Sequence, residues 1–500
     1  MSFNLIHENW IPVRREDGAR VLIAPWQITE KLNPVMALDA PRADFNGALI
    51  QFLIGLVQTT TAPKDDRAWR AGLTQPPEPD RLSEAFQSVS AAFDLDGAGA
   101  RFMQEATLKD GERHPASYLL IDAPTKKPRE DNTDHFVKRD LFERGGGPIT
   151  TLITGGNLWD TIWLNVLRSG DIQALGNVTG ASSRFDEKIF PWLGPDALLE
   201  EKTGKSTYLA DVHPLHMYWA MPRRILLDFQ NATTENCMLC DKPAQCLVFQ
   251  YQDATSGIRY KPPWRHPLSP HYRNKDGTLL PQHGRPNGVS YRHWLGWVLA
   301  DTSSGEEPAR VVHEFSHRQQ WSELHEVLNR GPRLWAFGYN MAQMNPRAWC
   351  EGTMPLLQLG EAIRSTCETF VAGMVRTAEL IAGNVRRCIK QAIFRRPSDV
   401  SGDLSHVDAR FWQTTESSFY SLLEQCRDKV RRGDELTPLK MEWLKTLALV
   451  GERIFDDLSQ NNQLEVADPK RIALAARELR RLHAPTNKRI RQILDLPTRT

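Results

Sequence analysis

Cysteine is scarce: there are seven in 500 residues, three of them clustered. That is no disulfide framework, and it fits a reducing, cytoplasmic compartment. Long apolar runs are missing too, although a membrane-spanning helix needs roughly 18–20 consecutive apolar residues. The best stretch, ALIQFLIGLVQTTTA from Ala48, is broken by Gln51, Gln58 and threonines, and reads as a buried helix with no role in a membrane. The opening MSFNLIHENWIPVRRE has no unbroken apolar core and no small-residue cleavage site, so no secretory signal is expected there. Net charge is only +1, which excludes a polycation. Any nucleic-acid contact must come from local patches.

Signatures of several chemistries are absent as well. No GxSxG nucleophile elbow and no His-Asp doublet occurs. The glycine-rich GGGPITTLITGG (145–156) has no lysine after its glycines, so it is not a P-loop. Nor does it show the strand–GxGxxG–helix order of a dinucleotide site. Glycine permits close backbone approach, so this stretch suits a polymer backbone, a neighbouring subunit or a plain turn. A binding protein fits better than an enzyme.

What is present divides in two. Residues 1–355 carry most prolines and tryptophans, with strand-like runs TTLIT (150–154), QCLVFQY (245–251) and ARVVHEF (309–315). Helical patterns cover 46–59, 158–168 and 317–329, and long loops are expected at 121–147 and 255–290. This predicts an α+β domain. From 356 to 500 the pattern turns helical: Val371, Met374, Val375, Ala378, Ile381, Val385, Cys388, Ile389 and Ala392 recur at helical spacing until Pro397. Runs at 405–430 and 438–458 follow, and a fourth opens with Asp468 as N-cap and Pro469 at the first helical position. Four amphipathic helices with short connections predict a four-helix bundle.

CMLCDKPAQC places Cys237, Cys240 and Cys246 at a spacing that suits zinc, with His135, His213, His216 and His266 as possible fourth ligands. A reduced, metal-free turn fits equally. The pair Asp65–Asp66 suits a metal or, more simply, a helix N-terminus. Trp294 and Trp297 read as core. In the bundle, Arg386, Arg387 and Lys390 end the first helix, and Arg477, Arg480 and Arg481 line the last. These cations suit DNA phosphates, or helix-dipole compensation and pairing with Glu379, Glu478 and Asp456. A stand-alone zinc-containing DNA-binding protein and a metal-dependent nuclease around Asp65 and Asp66 are the rival readings.

Six motifs in order resemble the CasA family, the large subunit of the type I-E CRISPR complex Cascade. They are NLIHENWIPV (4–13), APKDD (62–66), RFMQ (101–104), GGGPITTLITGGNLWDTIWLNVL (145–167), WRHPLSP (264–270) and FGYNMAQMN (337–345). The resemblance implies a non-catalytic subunit that works with the other Cascade subunits and crRNA. It implies recognition of the PAM in double-stranded target DNA, a start to unwinding, and recruitment of a helicase-nuclease. It assigns Gln343 as a wedge under the PAM, flanked by Ala342 and Met344, and Lys275 or Arg273 as a minor-groove reader. Gly145, Gly146 and Gly147 align with its structural G-G-x-P segment, just after a PAM-contacting glycine loop that is short here, so that either these glycines take over its role or the PAM is read with fewer glycines. Phe136, Val137 and Lys138 align with a loop that touches crRNA and neighbouring subunits.

Overall fold

The computed structural model describes residues 4–94, 114–115, 148–176, 185–194, 205–220, 224–227, 233–236, 243–248, 251–254, 258–260, 264–286, 288–301, 304–318, 331–342, 345–357, 359–394, 404–460 and 468–497. The chain forms two compact units, one of residues 1–285 with 304–353 and one of 286–303 with 354–500. The sequence boundary after 355 is a single cut. The structure adds 286–303 to the helical unit.

The first unit is mixed. Strands β1 (Ile11–Arg15), β2 (Arg20–Ile23) and β3 (Val35–Leu38) form an antiparallel sheet with β1 central. Helices α1 (Ala43–Thr60), α2 (Asp66–Thr74) and α3 (Pro79–Gln87) follow. Then come β4 (His114–Pro115), β5 (Thr150–Thr154), α4 (Leu158–Leu164) and α5 (Ser169–Gln173). Short strands β6 (Lys205–Thr207), β7 (Arg224–Leu227), β8 (Thr233–Asn236), β9 (Pro243–Val248), β10 (Tyr251–Ala254) and β11 (Ile258–Tyr260) make small separate sheets. β12 (His271–Arg273), β13 (Leu279–Pro281) and β14 (Glu306–Glu307) form another, so 255–290 is not the plain loop its sequence suggests.

Helix α6 covers Arg310–His317, where the β-branched ARVVHEF predicts a strand. Its buried Val311, Val312 and Phe315 fall on one helical face, which the run of valines disguises. The expected helix 317–329 and loop 121–147 fall outside the described residues. Strands β15 (Arg333–Ala342) and β16 (Asn345–Pro355) complete the unit, in a sheet ordered β16-β15-β5.

Helix α1 is apolar nearly all round and lies in the core. Its Gln58 is tolerated there because the amide donates to Leu167 O at 2.9 Å and accepts from Leu167 N at 2.7 Å. Phe52 of α1 meets Trp10 and Phe93 edge-on, Phe93 in turn meets Phe190, Trp192 and Trp219, and Trp219 Nε1 donates to Thr59 Oγ1. No helix among the described residues is long and apolar enough to cross a membrane.

The second unit is helical: α7 (Glu361–Ile393), α8 (Ser405–Arg432), α9 (Thr437–Gln460), α10 (Pro469–His483) and α11 (Lys488–Ile493). Helix α7 packs against α8, α9 and α10, burying Val371, Met374, Ala378, Ile381, Val385, Cys388 and Ile389 as the spacing predicts. Asp468 caps α10, its side chain accepting from Lys470 N at 2.9 Å, with Pro469 first in the helix. The segment 286–303 supplies Tyr291, which stacks on Phe419 at 4.3 Å and hydrogen-bonds Thr415 at 2.8 Å. Trp294 and Trp297 are buried, and Trp294 Nε1 donates to Pro355 O.

Candidate nucleic-acid interface

Three distant segments of the first unit converge on β15. From Thr154↔Arg333 to Thr150↔Phe337 its partner is β5. Beyond Phe337 the residues after β13 run beside it. Ile149 N donates to Gln282 O at 2.7 Å, Pro148 bridges His283, and Gly284 bridges Asn340. The approach is so close that a Cβ on Gly284 would lie 2.4 Å from Tyr339 O. Only glycine fits there. On the other edge of β5, Asn165 acts as a strand partner, accepting from Ile153 N and donating to Ile153 O.

The end of β15 is anchored to the start of α1. Tyr339 OH donates to Asp44 Oδ2 at 2.9 Å, and Arg42 Nε donates to Asp44 Oδ1 at 3.0 Å. Asp44 is buried. Burial beside that carboxylate pushes the Tyr339 phenol well above the usual tyrosine range. The phenol therefore stays protonated as a donor.

Of the sequence-predicted residues of this unit, Ala342, Lys275 and Arg273 are among the described ones. Gly145, Gly146 and Gly147 lie outside the described residues and directly precede Pro148. Ala342 ends β15 and β16 begins at Asn345, while Gln343 and Met344 between them lie outside the described residues. Lys275 is exposed on the turn between β12 and β13, where Asn274 Oδ1 accepts from Asp276 N and Thr278 N. The six residue steps from Gly277 to His283 separate this turn from the junction by at most about 20 Å of extended strand. Arg273 is tied to Glu307 at 2.6 Å, a carboxylate that Arg265 also approaches at 3.7 Å. Of the two cations proposed for one role, Lys275 sits on the turn and Arg273 is committed to an ion pair. Phe136, Val137 and Lys138 lie outside the described residues.

The acidic pair serves structure. Asp65 caps α2, accepting from Ala68 N at 2.7 Å. Asp66 pairs with Arg168 at 3.0 Å and Arg318 at 3.8 Å. Arg168 also holds Asp171 through two bonds and approaches Glu314. Burial over the Trp69 ring, 3.7 Å away, lowers the Arg318 guanidinium to about 10. A carboxylate shared by two guanidinium groups is poorly available to a metal, which removes the support for a nuclease centre at Asp65 and Asp66.

One motif escaped the sequence reading. HEFSH at 313–317 matches H-E-x-x-H and lies on helix α6. Its Glu314 is engaged by Arg310 at 2.7 Å and by Arg168, and the rings of His313 and His317 stack on each other. The glutamate of a metalloprotease must instead be free to take a proton from metal-bound water.

Cys237 and Cys240 lie outside the described residues, and Cys246 lies on β9, which pairs antiparallel with β8. Of the possible fourth zinc ligands, His135 is likewise outside the described residues. His213 and His266 each accept a backbone N–H two residues on. His216 Nδ1 donates to Lys188 O, and burial lowers its ring to about 4.

In the second unit, Arg386, Arg387, Arg480 and Arg481 are ion-paired. Arg386 holds Asp408 at 2.6 Å and Arg387 holds Glu478 at 3.3 Å. Arg481 donates twice to Glu478, and Arg480 approaches Glu452 at 3.7 Å. The Arg481 hydrogen bonds and nearby guanidinium groups hold Glu478 below the usual carboxylate range. Arg477 is exposed and Lys390 half-buried.

The family model described as "CRISPR-associated protein Cse1" matches residues 4–145 and 143–454. Among solved structures, the chain is similar to Thermus thermophilus CasA with a TM-score of 0.68 at 17% identity, covering 97% of this chain and 99% of that one. It is similar to Thermobifida fusca Cse1 with a TM-score of 0.63 at 14% identity, covering 99% of each. A chain of a CRISPR RNA-guided surveillance complex matches with a TM-score of 0.66 at 16% identity, covering 96% of this chain and 99% of that one. At these identities the structural likenesses establish the fold.

Proposed function

The chain belongs to the CRISPR-associated protein Cse1 family, and from that premise we propose that it is a non-catalytic subunit of a crRNA-guided surveillance complex. It reads the PAM in double-stranded DNA, helps to start unwinding, and recruits the helicase-nuclease that degrades the target. The observation that supports this is the junction on β15. The stretch after the 145–147 glycines, the chain after WRHPLSP and the strand leading to Gln343 are far apart in sequence, yet Pro148–His283 and Gly284–Asn340 bring them together. Loops carried on one rigid sheet can act on one short piece of duplex. The protein then reads a short tag while base pairing reads the sequence.

Gln343 is the wedge. A side chain entering the stack must offset a few kcal/mol of unstacking per step. Lys275 reaches the minor groove, whose A·T-versus-G·C pattern is degenerate, so PAM preference is loose. The test has two stages. Affinity purification followed by RNA sequencing yields discrete guide-length RNA if the chain is a complex subunit, and none if it acts alone. Permanganate footprinting of the assembled complex then shows loss of unwinding in Gln343→Ala; unchanged footprints sink the wedge role.

A further inference from the structure

Two exposed arginines beside the junction have no place in the account so far. Arg285 follows Gly284, whose backbone is pressed against Tyr339 and bridges Asn340. The position of Arg285 relative to β15 is therefore fixed while its side chain is exposed. Arg347 is exposed on β16. Two residues on, the Trp349 ring packs 5.6 Å from Phe337 and 5.1 Å from Tyr339, and Cys350 Sγ lies 3.7 Å from Arg285 O. Both cations thus lie beside the same stretch of β15, Arg285 just after the residue bridged to Asn340 and Arg347 on β16, whose Cys350 touches the Arg285 backbone. The described carboxylate nearest in sequence, Glu351, accepts from Trp349 Nε1 at 2.6 Å.

We infer that Arg285 and Arg347 are positioning residues that grip DNA phosphates beside β15. This rests on the duplex-reading function proposed above. The arginines of this unit that serve the fold look different. Arg42 and Arg168 are part-buried and bound to the carboxylates of Asp44 and Asp171, and Arg318 is buried against Trp69. Arg285 and Arg347 are instead exposed, on a backbone that the sheet holds in place. A planar fork of donors on a fixed base matches phosphate oxygens and loses little freedom on binding. Such contacts set register and carry no sequence information.

The experiment uses the assembled complex carrying either the natural subunit or Arg285→Gln with Arg347→Gln. Binding to duplexes with and without the preferred PAM is measured between about 50 and 200 mM salt. Each lost contact removes roughly 0.9 from the log–log salt slope, so the pair removes about 1.8 and weakens binding roughly 30-fold at 0.15 M salt. The ratio between PAM and non-PAM duplexes stays the same, because both lose equally. An unchanged slope overturns the inference. So does a changed PAM ratio, or a subunit that no longer assembles, since the cations would then serve base reading or a protein or RNA neighbour. If the natural complex itself shows no PAM preference, the proposed function fails. If it does, and Gln343→Ala loses unwinding while the arginine variant keeps its slope, only this inference fails.

Discussion

At Gly72, in the first unit, a Cβ would stand 2.2 Å from Cζ2 of Trp163; at Gly383, in the second, its nearest neighbour would be Arg386 Nη2 at 3.9 Å. Both residues are helical. The first is where an indole packs directly on a backbone: Trp163 Nε1 donates to Trp69 O, and Trp159 Nε1 donates to Gly72 O. The second has room for a methyl group beside one flexible arginine. The mixed unit is built mainly from segments far apart in sequence, and the helical unit from side chains repeated along each helix, with a close approach of its own at Gly451, where a Cβ would stand 2.9 Å from Val385 Cγ2. The candidate interface belongs to the first kind. Its described backbone is held by contacts such as Gly284 on Tyr339, which tolerate no added atom.

Substituting alanine for glycine breaks this comparison most directly. In a packed site an extra methyl costs about 1–3 kcal/mol, sometimes more. Gly72→Ala and Gly284→Ala sit at the upper end, about 3 kcal/mol, because a hydrogen-bonded ring or a paired backbone must move. Gly383→Ala has the opposite sign and stabilises by about 0.5–1 kcal/mol, since a helix interior favours alanine over glycine. Denaturant unfolding followed separately in each unit checks all three. Equal effects at Gly72 and Gly383 would end the distinction.

The same contrast explains what the sequence made legible. The bundle announces itself, because Asp468–Pro469 is a local start signal and the α7 core repeats with the period of a helix. Asp65 as a cap is equally local. The junction on β15 is not local. Nothing in the sequence around Gly284 says that Asn340 lies beside it, or that Asp66 meets an arginine 102 residues away. Segment 286–303 shows aromatic residues that read correctly as core, but not that Tyr291 packs between Phe419 and Trp443 of the helical unit. Helix α6 was misread because Val311 and Val312 favour strands while Phe315 completes a helical face. Motif order across the whole chain carries what local pattern lacks: it points to the family, and through the family to Gln343 and Lys275.

Acid sharpens the comparison by probing one buried histidine in each unit. Burial lowers both His216 and His483 to about 4, against about 6.5 in an unfolded chain. The unfolded chain binds a proton first as pH falls. Stability from each neutral ring is therefore complete above about pH 6.5 and is lost between there and pH 4. At pH 5 each ring accounts for roughly 2 kcal/mol. His216→Gln and His483→Gln should each flatten the stability loss between pH 7.5 and pH 5, the first in the mixed unit and the second in the bundle. Thermal unfolding of each unit at the two pH values reads this out. A variant that keeps the full acid loss clears its histidine.

The smallest effect on stability is expected where the bundle's surface carries most charge. Neutralising Arg387, Arg480 and Arg481 to glutamine removes the pairs with Glu478 and Glu452. Exposed ion pairs of this kind contribute little, because water and salt already screen the charges and long side chains lose freedom in pairing. The thermal midpoint should hardly move. Binding separates the two roles for these cations. If they face DNA, the assembled complex loses up to three phosphate contacts and its salt slope falls by about 0.7–0.9 for each, the lower value applying to a single strand. PAM choice stays unchanged. If they serve only Glu478 and Glu452, the slope is untouched and the modest change is in stability. An arginine that pairs with an exposed glutamate can exchange it for a phosphate at little cost, so pairing in the free subunit is compatible with either outcome. Stability and salt slope measured on the same triple variant decide whether this face of the bundle touches nucleic acid.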